Sequence, residues 1–134
     1  MRVPKWKHIG EKSKWQYPTY FNSKILKKKD FVIIVESIGD MLSLWNAGYK
    51  NVLVSFGLNL SFALINSIIK YDIGKIVLAF NNDENLAGNM ASQKGYKKLL
   101  KFFDEDQIQV CLPTKNDFGE MDKGEINLWA KKIK

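Results

Sequence analysis

Four short apolar runs punctuate the chain, and each stops on a polar or turn-forming residue. Val32-Ile33-Ile34-Val35 ends on Glu36, Asn51-Val52-Leu53-Val54-Ser55-Phe56 on Gly57, Lys75-Ile76-Val77-Leu78-Ala79-Phe80 on Asn81-Asn82-Asp83, and Gln107 to Leu112 on Pro113. Near-continuous apolar runs of this length predict strands buried on both faces. The stretches between them read as helices. Asp40 is placed to cap a helix through Met41 to Ala47, which Gly48 stops. Leu58 to Lys70 carries apolar residues at Leu60, Phe62, Ala63, Leu64, Ile65, Ile68 and Ile69, a helical pattern. A long helix is expected from Ala87 to Phe103 and a short terminal one from Ile126 to Ile133. Strand alternating with helix predicts an α/β fold with a sheet of about four mainly parallel strands and helices on both faces.

In such a sheet, ligands bind beyond the carboxyl ends of the strands. Glu36 follows directly on the first run and Asp83 closes the Asn81-Asn82-Asp83 end of the third, so both acids are expected at that edge. Oxygen donors of this kind suit Mg²⁺, a hard cation usually held by one or two carboxylates plus substrate phosphates. The pattern points to a nucleotide-handling site.

Composition narrows the class. With 134 residues, 46% of them hydrophobic, a single domain is expected. No apolar stretch approaches the ~20 residues of a membrane span, and Met1 to His8 has no apolar signal-peptide core, so a cytoplasmic protein without a membrane partner is expected. The single Cys111 reads as a small buried hydrophobe. One Cys and one His cannot build a Cys-rich zinc site.

The net charge of +7 is uneven. Residues 1–30 hold nine Lys or Arg against Glu11 and Asp30, whereas the remainder balances twelve basic residues with twelve acidic ones. Within the basic segment, Lys5, Trp6, Lys7, Lys14 and Trp15 interleave cations with rings, a combination that neutralises phosphates and stacks on bases. The plainer reading is a solvated basic tail whose aromatics pack back on the domain. Lys94, Lys97, Lys98 and Lys101 read as a solvent face of the long helix, and Asp104-Glu105-Asp106 as a solvated turn at the wrong end of the fourth strand.

Four segments in order, Val35-Glu36-Ser37-Ile38-Gly39-Asp40, Val54-Ser55-Phe56-Gly57, Leu78-Ala79-Phe80-Asn81-Asn82-Asp83 leading to Ala87-Gly88, and Leu112-Pro113-Thr114-Lys115-Asn116-Asp117, resemble the ordered motifs of the Toprim domain. The resemblance spans about residues 31–118, preceded by the basic segment 1–30 and followed by a helical extension, 119–134. Toprim domains occur in bacterial and phage DNA primases, topoisomerases, OLD-type nucleases and recombination proteins, and use a Glu and an Asp-x-Asp pair around Mg²⁺. The motif spacing is most similar to the catalytic core of primases, phage ones in particular. That resemblance implies a fragment of a larger primase, a nucleotidyltransferase of DNA replication that makes RNA primers. Its partners would be a single-stranded DNA template, nucleoside triphosphates and a replicative helicase. It also implies Glu36 at the catalytic centre, as general base or metal ligand, with Glu36, Asn81, Asp83 and Asp117 around Mg²⁺ or Mn²⁺. Asp40, Gly57 and Gly88 would lie beside them, Asp40 as helix cap or site residue and the glycines for close backbone approach or as plain turns. The alternatives are an OLD-like nuclease using the same acids, and a non-catalytic nucleic-acid-binding module.

One departure bears on the site. Where the family has Asp-x-Asp, this chain has Asn81-Asn82-Asp83, and Ala87-Gly88 arrives two residues late. If the strand end fixes the register, Asn81 replaces the first acid. If Ala87-Gly88 fixes it, Asp83 is the first acid and Asn85 replaces the second. Either way an amide stands for a carboxylate, keeping a carbonyl oxygen but no charge.

Overall fold

The computed structural model describes residues 31–56, 60–82 and 87–133. Strand β1 (Phe31–Val35) leads into helix α1 (Ile38–Asn46), and β2 (Val52–Val54) into α2 (Phe62–Lys70). Then β3 (Lys75–Leu78) leads into α3 (Ala87–Leu99), and β4 (Ile108–Val110) is followed by a 3-10 turn, Phe118–Glu120, and α4 (Lys123–Ala130). The sheet has the order β2-β1-β3-β4, with every pairing parallel. This is the expected α/β architecture.

Alternation along each strand divides the core into two layers. Val32, Ile34, Leu53, Ile76, Leu78 and Phe80 face one layer, under α2 and α3 with Leu64, Ile65, Ile68 and Leu99. Ile33, Val35, Val52, Val54, Val77 and Ala79 face the other, with Met41 and Leu44 of α1 and with Phe118, Ile126 and Trp129. Strands β1, β2 and β3 are therefore apolar at consecutive positions because their two faces bury into different layers. Edge strand β4 instead buries Ile108 and leaves Gln109 half-buried and Val110 exposed, against the expectation of a strand buried on both faces.

The elements are shorter than their apolar runs. Asn51, Phe80 and Leu112 lie outside the ladders, although Ala79 N–H still bonds the Ile34 carbonyl at 2.9 Å. Helix α3 ends at Leu99, four residues before the expected Phe103, because Leu100 to Phe103 form turns back onto Tyr96, Lys98 and Leu99. The terminal helix begins three residues earlier than Ile126. Asp122 caps it through the Glu125 N–H, and the Glu125 side chain returns a bond to the Asp122 N–H, a reciprocal pair that fixes the first turn. Gly48, at φ +100°, ends α1 as expected: its N–H reaches the Trp45 carbonyl, and Tyr49 N–H reaches Leu44.

The minor expectations divide. Asp104 to Asp106 are exposed, at the start of β4 and away from the carboxyl edge, and Cys111 is buried with its thiol pKa pushed up by that burial. Lys94, Lys97 and Lys101 face solvent. Lys98 is half-buried, because its ammonium bonds the Leu60 carbonyl and lies 4.5 Å above the Phe62 ring. Among the described residues no helix is long and apolar enough to cross a membrane.

Candidate metal centre

The carboxyl edge of the sheet gathers the end of β1, the exit of β3, the start of α1 and the loop after β4. Glu36 is the first residue beyond β1, half-buried, and its Oε1 accepts the Asn81 backbone N–H at 3.0 Å. This bond ties together the exits of the two central strands. It also holds the Glu36 carboxylate at the edge where a ligand would approach.

The exit of β3 then grips the loop after β4. Asn82 N–H donates to the Asn116 carbonyl at 2.8 Å, and its side-chain amide to the Pro113 carbonyl at 3.2 Å. Asn116 precedes Asp117, which caps the 3-10 turn by accepting the Glu120 N–H on Oδ1 at 3.0 Å. Phe118, the next residue, is fully buried and packs edge-on against Trp129, with ring centroids 4.7 Å apart. The Trp129 indole N–H in turn bonds the Cys111 carbonyl at 3.1 Å.

Asp40 is not the cap of α1. That role belongs to Ser37, whose hydroxyl oxygen accepts the Asp40 N–H, and the helix accordingly starts at Ile38 instead of Met41. Asp40 sits in the first turn, only 4% exposed, with both carboxylate oxygens engaged. Oδ2 accepts the Ser37 hydroxyl at 3.0 Å and Oδ1 the Phe118 N–H at 3.1 Å. Burial pushes the Asp40 carboxyl above its ordinary pKa. The hydroxyl of Ser37 pulls it back, the charge of Asp117 pushes it up again, and the N–H groups of Phe118 and Gly119 pull it down.

Beyond β2 the left-handed backbone belongs to Phe56, at φ 57°. An aromatic residue there is strained, and such strain clusters at ligand-binding edges. Gly57, Asp83, Lys5, Trp6, Lys7, Lys14 and Trp15 lie outside the described residues, as does Asn85, so of the residues that separate the two registers only Asn81 is described. Gly88 falls in the first turn of α3.

The structure thus brings Glu36 against Asn81, and Asp40 close to Asp117, all at one edge. Sequence reading missed Asn82, Ser37 and Phe118. Ser37 carried a signal, the Ser-x-x-Asp spacing of a helix start. Asn82 and Phe118 carried none, since the hydrogen-bond partners that give them their place at the site lie 31 or more residues away. Among the described residues no three His, Cys, Asp or Glu side chains converge on a ready-made cation cage. The donors at the edge are oxygens, which suits a hard cation that keeps several waters and takes further ligands from a bound phosphate.

With the edge so arranged, the likeness to known proteins is informative. Residues 33–121 match the model of the Toprim-like family, and the chain belongs to that family. A DNA primase of Synechocystis sp. is 26% identical over 98 residues, covering 71% of this chain and 15% of that protein. A DNA primase domain from Pseudomonas aeruginosa superposes with a TM-score of 0.76 at 17% identity, over 92% of this chain and 39% of the other. A DnaG primase catalytic domain bound to single-stranded DNA superposes at 0.73, also at 17% identity, over 92% and 40%. The fold is that of primase catalytic cores. The chain spans about two fifths of those solved chains and 15% of the curated relative.

Proposed function

We propose that the chain is the Toprim part of a DNA primase and contributes to metal-dependent nucleotidyl transfer in RNA primer synthesis on single-stranded DNA. The observation that carries this reading is the Glu36 carboxylate, held by the Asn81 N–H at the carboxyl edge of a parallel sheet shared with primase cores. Glu36, Asp117 and the Asn81 carbonyl are the described groups that would hold Mg²⁺ or Mn²⁺, with Asp83 completing the set. The cation, when bound, neutralises charge on the reacting triphosphate and orients the attacking 3′-hydroxyl. The chain's own residues fix donor positions before substrate arrives: Glu36 through Asn81, and Asp117 through its turn. Preorganised oxygens lower the reorganisation needed when substrate binds.

The amide at Asn81 makes the site poorer in charge than an all-carboxylate one, so cation binding should depend on substrate phosphate. The test is Mn²⁺ titration of the chain with and without a nucleoside triphosphate. Saturable binding is expected that tightens at least about tenfold with nucleotide, and Glu36→Gln, which removes a ligand's charge, should weaken it by at least about tenfold. Absence of saturable binding even with nucleotide present would favour a non-catalytic nucleic-acid-binding module, the reading that the Asn81 substitution supports. Helicase, template and triphosphate partners, and a cytoplasmic setting, follow from the primase reading.

A further inference from the structure

The residues on either side of Asp117 are both pinned, and by different parts of the fold. On the amino side, the Asn116 carbonyl takes the Asn82 backbone N–H, while the Asn82 side-chain amide holds Pro113 three residues earlier. On the carboxyl side, the Phe118 N–H is taken by Asp40 Oδ1. The Asp117 side chain is meanwhile turned by its own bond to the Glu120 N–H. We infer that Asp40 and Asn82 are positioning residues that form a bracket setting Asp117 at the carboxyl edge, and that Asp40 itself does not touch metal or substrate. This deepens the proposed function and rests on Asp117 serving the cation.

Asp40 is ill-placed to be a ligand. At 4% exposure, with Oδ1 and Oδ2 already bonded to Phe118 and Ser37, it faces the interior between α1 and the 3-10 turn. What it supplies is an acceptor of fixed position. A buried N–H at Phe118 left without a partner would force the turn to shift, because an unsatisfied buried donor is costly. The turn cannot relax far in the other direction, since the Phe118 ring is packed on Trp129. Asn82 works from the β3 exit, so the bracket couples Asp117 to the strand that carries Asn81. An acid on a loop is thereby held as firmly as one on a strand end, as precise sites require.

The acceptor, not the charge, is what the bracket needs, and that separates positioning from ligation. In Asp40→Asn the side-chain carbonyl still accepts from Phe118, and the new amide can donate to the Ser37 hydroxyl. The test uses the ¹⁵N-labelled full chain titrated with Mn²⁺ and nucleoside triphosphate, reading paramagnetic broadening amide by amide. In the unaltered chain, Asn81, Phe118 and Glu120 are all expected to broaden. Asp40→Asn should leave both the pattern and the Mn²⁺ affinity within about twofold. Asp40→Ala should weaken affinity about ten- to a hundredfold, with broadening kept at Asn81 and lost at Phe118 and Glu120. Should Asp40→Ala fail to fold, Asn82→Ala carries the same expectation with a smaller loss, since its backbone N–H remains.

Equal losses in Asp40→Asn and Asp40→Ala would overturn the inference and make Asp40 a ligand. Undiminished broadening at Phe118 in Asp40→Ala or Asn82→Ala would overturn it as well. Failure of the underlying reading looks different: no broadening at either site in the unaltered chain, or broadening at Phe118 that survives Asp117→Asn with unchanged affinity.

Discussion

Asn81 meets Glu36 through its backbone, and that settles what its side chain is free to change. The N–H bond to Glu36 Oε1 survives any non-proline substitution, so Asn81→Asp adds a carboxylate beside Glu36 without releasing it. Mn²⁺ affinity should rise about tenfold, the effect of ~1.4 kcal/mol from one added charge, measured by titration with nucleotide present. Asn85→Asp should leave affinity unchanged if the strand end sets the register. The reverse order of effects would assign the register to Ala87-Gly88. In chelator the Asn81→Asp variant should melt below the parent, because like charges without a cation between them repel.

Helix α4 and the 3-10 turn lie at the end of the described chain, yet they are built into the layer beneath α1. Phe118, Ile126 and Trp129 share it with Met41, Leu44 and the outer faces of β1 and β2. Trp129 contributes both a fully buried ring and an indole bond to the Cys111 carbonyl at the end of β4. Trp129→Ala should cost about 3–5 kcal/mol in urea denaturation, mostly as lost packing and cavity. Trp129→Phe should cost appreciably less, losing about 1 kcal/mol for the hydrogen bond plus part of the ring area. Equal costs for the two variants would mean that the hydrogen bond outweighs the packing. Because Phe118 rests on this ring, Trp129→Ala should also loosen the turn that carries Asp117.

The charge of the molecule is divided by position along the chain. Residues 31–134 balance twelve basic against twelve acidic side chains, and the surplus of seven lies in residues 1–30. An electrically balanced core offers little long-range attraction to a polyanion, so template affinity should reside in the basic segment. Single-stranded DNA binding is expected to weaken with salt at a slope of roughly −0.7 per phosphate neutralised, and removal of residues 1–29 should flatten that slope and abolish most of the affinity. Trp6→Ala or Trp15→Ala should each cost on the order of 1 to 3 kcal/mol of binding if a base stacks on the ring. Unchanged DNA affinity after truncation would reduce the segment to a linker.

The sequence alone determined the order of the elements and the burial of three of the four strands, because buried parallel strands must be apolar at consecutive positions and helices must show a 3.6-residue period, whereas edge strand β4 is buried only at Ile108. It also directed the exits of the first and third strands to one edge, where Glu36 meets the Asn81 N–H, while Asp83, the acid expected beside Glu36, lies outside the described residues. It did not place the caps well. Asp40 looked like a helix start because Asp is a good cap, and only the fold reveals that Ser37 holds that place while Asp40 turns inward to Phe118. The tertiary structure alone decided that Asn82 grips Pro113 and Asn116, that Phe118 packs on Trp129, and that Lys98 folds back onto Leu60 and Phe62. Those contacts, together with that of Asp40 and Phe118, join residues 11 to 78 positions apart in the chain, where no local periodicity links the partners and only packing brings them together.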